Sequence, residues 1–294
     1  MAPSLTQPQG QLSAADALHL AQQAPSILRS NPRAISSSPL SSLFSAKESP
    51  ELWVIYNNLM LSCLRAGDDE AASECLERLL LRFGPHNERI MALKGLAKEA
   101  TAENESELQE VLKDYEVILR ENAANIPVAK RKVALLKSMG RINDATTALT
   151  ALLDYAPIDA EAWAELSDLY LSQGLYSQAI YALEEVLVLA PNAWNLHAKL
   201  AEVLFMAANT SGDSHQGYLA ESLKRFCRSI ELCDDYLRGY YGLKKVTDQI
   251  LEASAAGNGG KNVKKQTEEG RFEIPNRIKV EKLNQAATNK LAEI

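Results

Sequence analysis

Ala160–Pro191, AEAWAELSDLYLSQGLYSQAIYALEEVLVLAP, is the stretch whose reading decides the fold. Trp163, Leu166 and Tyr170 are spaced by three and four residues and therefore share one face of a helix. Gly174 interrupts that pattern where a tight reversal needs φ > 0 without a Cβ penalty. A second helix follows, with Ala179, Leu183, Val186 and Leu189 on its buried face, and Pro191 ends it. Ala179 is small, which suits a place where two helices approach closely. Upstream, Gly140, Ala145, Leu149, Leu152 and Pro157 repeat the positions of Gly174, Ala179, Leu183, Val186 and Pro191 at one constant offset.

That offset is a period of about 34 residues. With a Trp/Leu/Tyr first helix, a turn glycine, a small alanine and a closing proline, the unit resembles the tetratricopeptide repeat. A single helical hairpin with core aromatics is unremarkable; the fixed period carries the argument. The fold expected is all-α, a tetratricopeptide-repeat superhelix (α-solenoid) closed by a C-terminal capping helix.

The 294 residues are 46% hydrophobic with a formal net charge of −7. Such a balance suits a folded protein in water and disfavours general nucleic-acid binding, although a local basic patch remains compatible with it. Cys63, Cys75, Cys227 and Cys233 lie in helical patterns without a C-x-x-C or a histidine at ligand spacing, which reads as buried reduced thiols and a cytosolic setting. The N-terminus has no charged segment followed by an apolar core, so no secretion signal is read there. No run approaches the roughly 18 apolar residues of a spanning helix, so work at a membrane would require another subunit to hold the chain in place. Asn104-Glu-Ser106 and Asn209-Thr-Ser211 match the glycosylation pattern but, without a secretion signal, read as loop residues.

Taken in order, residues 1–49 form an N-terminal short helix and a Ser/Pro-rich linker. Residues 1–12 are expected to be mobile. Ser13-Ala-Ala-Asp16 is a capping box opening a helix with a stripe of Leu12, Ala15, Leu18, Ala21 and Ala24, ended by Pro25. Leu40, Leu43 and Phe44 are able to pin the linker to the body. Residues 50–252 are the repeat array. Ser49-Pro50 opens its first helix, through Trp53, Tyr56, Leu59 and Met60 to Gly67, and Asp68 or Asp69 caps the partner helix. The second unit keeps Met91 and Gly95 in register, but its turn, TAENESE, reads as about four residues too long, a cheap change for a repeat. The fifth unit has an enlarged polar turn, AANTSGDSHQG, and the sixth, from Leu237, shows one convincing helix. Residues 253–274 read as a flexible Gly/Lys/Asn linker, and 275–294 as a capping helix with Val280, Leu283, Ala287, Leu291 and Ile294 at three–four spacing.

No catalytic constellation is found. His19, His86, His197 and His215 are scattered, without a second ligand one helical turn away. Gly212–Gly217 lacks the spacing and preceding strand of a nucleophile elbow, and the glycines at 257–260 lack the Lys-Ser/Thr of a phosphate loop. The chain is therefore read as no enzyme, with no cofactor and no metal.

What remains is surface. In tetratricopeptide arrays the first helices of successive hairpins line a concave groove, and the resemblance places Asn57, Leu61, Lys130, Lys137, Asp168, Phe205, Met206 and Tyr241 in it as partner-binding residues. Leu64, Arg65, Ala92, Leu96, Glu99, Ala134, Glu161, Leu171 and Glu202 occupy further groove positions. Aliphatic, aromatic and isolated charged groups together suit an extended or helical polypeptide, although any one of them is equally an ordinary surface residue. Lys130-Arg131-Lys132 is the densest charge feature. Lys130 and Lys137 stand two turns apart on one helix face, either to receive acidic groups or as a solvated face.

Four segments narrow the resemblance: WVIYNNLM at 53–60, VAKRKVALLKSMGR at 128–141, AWAELSDLYLSQGLYSQAIYALEEVLVLAPN at 162–192 and SLKRFCRSIELCDDYLRGYYGLKK at 222–245. Together they resemble the family of subunit 2 of the endoplasmic reticulum membrane protein complex, over about 53–252. The resemblance implies a non-catalytic cytosolic scaffold whose partners are the membrane-embedded and cytosolic subunits of that complex, peripheral on the cytoplasmic side of the endoplasmic reticulum membrane. It also implies a role in inserting tail-anchored and multipass proteins. The alternative is a co-chaperone adaptor gripping a chaperone C-terminus. That clamp needs a set of Lys, Asn and Arg where this chain has Asn57, Leu61, Leu93, Pro127 and Arg131, so only Arg131 matches.

Overall fold

Polar side chains that cap helix starts, and glycines that reverse the chain after helix ends, cut the sequence into short-linked helices. The computed structural model describes residues 4–6, 12–30, 50–210, 215–255 and 273–293 and has no strand among them. The expectations for Leu40, Leu43, Phe44, Ser49, the glycines at 257–260 and Ile294 fall outside these residues. The helices gather into two compact units, Met1–Tyr155 and Ala156–Ile294.

The first unit holds α1 (Ala14–Ala21), α2 (Ala24–Ser30), α3 (Pro50–Ala66), α4 (Asp69–Phe83), α5 (Glu88–Thr101), α6 (Glu105–Glu121), α7 (Ile126–Ser138) and α8 (Ile142–Tyr155). Helices α3/α4, α5/α6 and α7/α8 are hairpins. Gly67 and Gly140 take φ of 76° and 70° in the α3–α4 and α7–α8 turns, the left-handed region expected of a turn glycine. Asp68 accepts from the Ala71 amide, and Asn87, Asn104 and Asn125 cap α5, α6 and α7 in the same way. Tyr56, Leu59, Met60 and Cys63 of α3 bury against Ala72, Cys75 and Leu79 of α4. Each large apolar side chain so buried contributes about 1.5–3 kcal/mol.

Three local expectations are corrected in this unit. Pro25 does not end the N-terminal helical region: α1 stops at Ala21, and Pro25 sits in the first turn of α2, where its missing N–H costs nothing. The buried stripe is Ala17, Leu20, Ala21, Ala24 and Leu28, while Leu18 is half exposed. This pair forms a short hairpin laid on the first repeat, α1 on α3 and α2 on α4. Arg78 of α4 ties it down, donating to the Leu28 carbonyl at 2.9 Å and to the Tyr56 hydroxyl at 2.7 Å. Nor is Leu5 loose: it is buried, and its carbonyl accepts from Asn58 Nδ2 at 2.7 Å. Finally, the turn within TAENESE is only residues 102–104. Asn104 caps α6 by accepting from the Glu107 amide, and the Glu107 carboxylate reaches back to the Glu103 amide at 2.9 Å. The apparent insertion is helix, because a capping-box geometry starts α6 a turn earlier than its first apolar residue.

The second unit holds α9 (Ala160–Ser172), α10 (Tyr176–Leu189), α11 (Trp194–Thr210), α12 (His215–Leu232), α13 (Leu237–Ala255) and α14 (Arg277–Ala292). Gly174 takes φ 71° in the α9–α10 turn. Ala179, Leu183 and Val186 are buried, but Leu189 is half exposed in the last residue of α10, past the stretch that α9 and α11 cover. Trp163 is only partly buried. The polar turn expected at 207–217 is shorter too. Ala207 and Ala208 are buried residues of α11 and Gly217 lies inside α12, leaving 211–214 outside the described residues. Ser222 and Ser229 of α12 fasten it to α11, donating to the Ala201 and Trp194 carbonyls at 2.7 Å each. Helix α14 lies along α13 with Val280 and Ala287 fully buried and Leu283 and Leu291 partly so. Of the four cysteines, Cys63 and Cys75 are buried, whereas Cys227 and Cys233 are partly exposed.

Candidate functional site

The groove positions are built by first helices, and their side chains differ sharply in availability. In the first unit Asn57 and Leu61, half-buried on α3, line a cavity of about 770 Å3. Asn57 Nδ2 donates to Asn58 Oδ1 at 3.3 Å. On α7, Lys130 is half-buried and Lys137 exposed. Between the two lysine neighbours the basic run does not behave as one patch. Arg131 points inward and makes a two-point ion pair with Glu99 of α5, and Lys132 reaches Glu116 of α6 at 3.5 Å.

The repeat resemblance places Glu99 on the groove. Instead only a tenth of its side chain is exposed, because it is held between Arg131 and the Tyr115 hydroxyl, which donates to Glu99 Oε1 at 2.5 Å. Burial, and then the Glu99 hydrogen bond and charge, raise the Tyr115 phenol far above its ordinary range. Burial works against the Arg131 charge, but the Glu99 carboxylate outweighs it and the guanidinium is raised. The pair joins α5 and α7, with Tyr115 of α6 held to it, and commits the two charges to each other. Arg131 is also the single residue matching a carboxylate clamp, so the co-chaperone alternative loses its one supporting position. Ala92 likewise belongs to the core and not to a groove wall.

In the second unit the first helices α9, α11 and α13 carry cross-helix ion pairs. Asp168, exposed on α9, accepts from Lys199 of α11 at 2.6 Å. Glu202 of α11 takes Arg238 of α13 in a bidentate pair, both contacts 2.5 Å. Met206 and Tyr241 stand exposed on α11 and α13, with Lys245 Nζ 5.6 Å from the Tyr241 ring centroid. Phe205, also on α11, is partly buried, with its ring packed against the core that α11–α14 share. Exposed Met and Tyr flanked by paired charges make a surface able to accept apolar side chains of another polypeptide. Among the described residues no three His, Cys, Asp or Glu side chains gather as metal ligands, and no helix is long and apolar enough to cross a membrane.

Successive helical hairpins, with Gly140 and Gly174 one repeat apart in the α7–α8 and α9–α10 turns, define the class: this is a tetratricopeptide-repeat protein. A solved tetratricopeptide-repeat protein from Cytophaga hutchinsonii, its C-terminal part, superposes with a TM-score of 0.56 over 95% of this chain and 94% of its own, at 12% identity, a likeness of fold alone. Residues 76–219 match the family described as the EMC2 TPR-like repeat domain. The chain is 34% identical over 208 residues to the TPR repeat protein oca3 of Schizosaccharomyces pombe, 71% of each chain. It is 32% identical over 198 residues to ER membrane protein complex subunit 2-A of Xenopus laevis, covering 67% of this chain and 63% of the frog protein. It is 31% identical over 118 residues to ER membrane protein complex subunit 2 of Saccharomyces cerevisiae. The chain belongs to the family of ER membrane protein complex subunit 2.

Proposed function

We propose that this chain is a non-catalytic scaffold subunit of the endoplasmic reticulum membrane protein complex. It sits on the cytoplasmic side of the membrane and holds cytosolic segments of the membrane-embedded subunits. Through them it supports insertion of tail-anchored and multipass proteins. The observation that carries this reading is the 32% identity to a relative that bears that subunit's name, together with the family match over residues 76–219, which takes in Lys130, Lys137, Asp168, Phe205 and Met206. Exposed Lys137, Met206 and Tyr241 on first helices supply contacts of the mixed kind that polypeptide segments use. A scaffold of this kind needs no cofactor.

Affinity purification of the chain in mild detergent tests the reading. Recovery of a defined set of membrane proteins, reduced when Lys130 and Lys137 are both changed to Glu while helical content is unchanged, is the expected result. Desolvated charge pairs lost at an interface cost on the order of 2–5 kcal/mol. Recovery of a lone soluble chaperone overturns the reading, and unchanged recovery by the double variant removes the two lysines from it.

A further inference from the structure

Hairpin α9/α10 exposes apolar side chains on its second helix and in the loop that enters it, where none of the groove positions lies. Ile158 of that loop is 80% exposed, and Val188 and Tyr181 of α10 are 74% and 56% exposed. Tyr181 and Val188 are seven residues apart, so they share one face of α10 with about 10 Å between them along the axis. Because the hairpin is antiparallel, Ile158 lies at the end of it that also carries Val188. Half-buried Trp163 joins the loop to α10: its Nε1 donates to the Pro157 carbonyl at 2.9 Å, and its ring meets that of Tyr181 edge-on at 6.0 Å. The aromatic pair is therefore held in place before anything binds, which lowers the ordering cost of an interface. Apolar groups gathered in this way differ from the scattered single residues of an ordinary exterior.

Carboxylates frame the patch. Residues 156–196 hold six Asp or Glu and not one Lys, Arg or His. Glu184 and Glu185 stand between Tyr181 and Val188 on α10, and Asp159 follows Ile158. Burial raises the Glu184 carboxyl; Arg225 of α12, 4.0 Å away, works against this without cancelling it, and Glu221 and Glu185 add to the rise. These charges choose the occupant. A second copy of this chain would bring like charge against them, and so would a surface of anionic lipid. A polypeptide with Lys or Arg beside its apolar side chains complements both parts of the patch.

We propose that the exposed face of α10, with Ile158 and the Trp163–Tyr181 pair, docks a basic amphipathic helix of a partner protein. Apolar side chains two turns apart on that helix lie on Tyr181 and Val188, and its lysines or arginines meet Glu184 and Glu185. The proposal rests on the scaffold reading for the partner being a polypeptide, and adds to it a contact surface outside the groove.

The test uses the full chain and three fluorescein-labelled peptides read by fluorescence anisotropy: KALKKFLKALKKLLKG, its acidic counterpart EALEEFLEALEELLEG, and KAAKKAAKAAKKAAKG without the large apolar side chains. The first is expected to bind at least about tenfold tighter than either control. Val188→Asp and, separately, Ile158→Asp are expected to weaken that binding at least about tenfold with an unchanged melting temperature, because both side chains are exposed. Glu184→Lys/Glu185→Lys is expected to shift the preference to the acidic peptide. Equal binding of the three peptides, no binding of any, or full binding by both Asp variants overturns the proposal. Self-association of the chain that Val188→Asp abolishes also overturns it, in favour of a second copy, and phosphatidylserine vesicle binding lost in the same variant overturns it in favour of a membrane surface. Co-purification of the membrane subunits, run alongside, separates the two readings: if it succeeds while no peptide binds, the scaffold stands and the α10 assignment falls.

Discussion

Gly95 of α5 lies so close to Tyr115 of α6 that a methyl group on Gly95 would stand 2.2 Å from both the ring Cε1 and the hydroxyl oxygen. The ring cannot move aside freely, because it is buried and its hydroxyl is held by Glu99, which is held in turn by Arg131. The hairpin α5/α6 and its neighbour α7 therefore depend on the absence of one side chain.

Gly95→Ala is expected to destabilise the protein by about 1–3 kcal/mol, as overpacking does, although alanine favours helix. Urea denaturation measures it. The double variant Gly95→Ala/Tyr115→Ala should lose less than the sum of the two single changes, since the clash disappears with the ring. Simple additivity would show that the two residues do not oppose each other.

Burial pushes the Cys63 thiol up to about 11 and the Cys75 thiol up to about 12, from an ordinary 9.0. The neutral thiol is favoured in the fold. Its stabilising contribution is complete below pH 9.0 and is lost as pH rises through about 11 and 12, because the unfolded chain releases its protons first. Unfolding free energy should therefore fall between roughly pH 9 and 11, and Cys63→Val/Cys75→Val should flatten that fall. A slope identical in the double variant would assign the alkaline loss to other groups. Thiol labelling of the native protein at neutral pH should reach Cys227 and Cys233 ahead of these two.

Trp163 is a repeat signature residue, yet it is partly exposed. Its Nε1 donates to the Pro157 carbonyl at 2.9 Å, and its ring meets that of Tyr181 edge-on at 6.0 Å. Losing one hydrogen bond and one aromatic pair amounts to about 1–3 kcal/mol, below the 3–5 kcal/mol typical of a fully buried aromatic. Trp163→Ala is expected to fold with a lowered melting temperature. A variant that does not fold at all would place the ring in the core.

Helix α14 is fastened to α13 by more than its apolar stripe. Asn284 Nδ2 donates to Thr247 Oγ1 at 2.9 Å and Asp248 Oδ1 at 2.7 Å, and Lys290 pairs with Asp235 at 3.2 Å in the α12–α13 turn. Deleting residues 276–294 should uncover the Leu243–Val246 side of α13, lower the melting temperature and cause self-association visible by light scattering with no lipid present. A truncated chain that stays monomeric and equally stable, but loses liposome binding, would assign α14 to a membrane surface.

The helices, their turns and the repeat class are legible in the chain because their causes are local. A glycine at Gly67, Gly140 or Gly174 allows a backbone angle that other residues resist, Asp68 bonds an amide three residues away, and a small alanine such as Ala179 marks a close helix crossing wherever the period repeats. The cap at Asn104 is equally local in its cause, with Glu107 three residues on, but it stands outside any apolar period. Other features depended on which helix lies beside which. Leu189 and Trp163 look as apolar as Leu183 and Leu166, and only the reach of the neighbouring helices decides that Leu189 is exposed and Trp163 only partly buried. Glu99 and Arg131, 32 residues apart, read as two surface charges until α5 and α7 pack and bury them together. The cavity beside Asn57 and Leu61 exists because α3 and α5 bury their apolar faces against other helices and leave a space between themselves. Local backbone preference acts over three or four residues and is written in the chain, whereas burial and pairing are sums over neighbours that are set only when the helices come together.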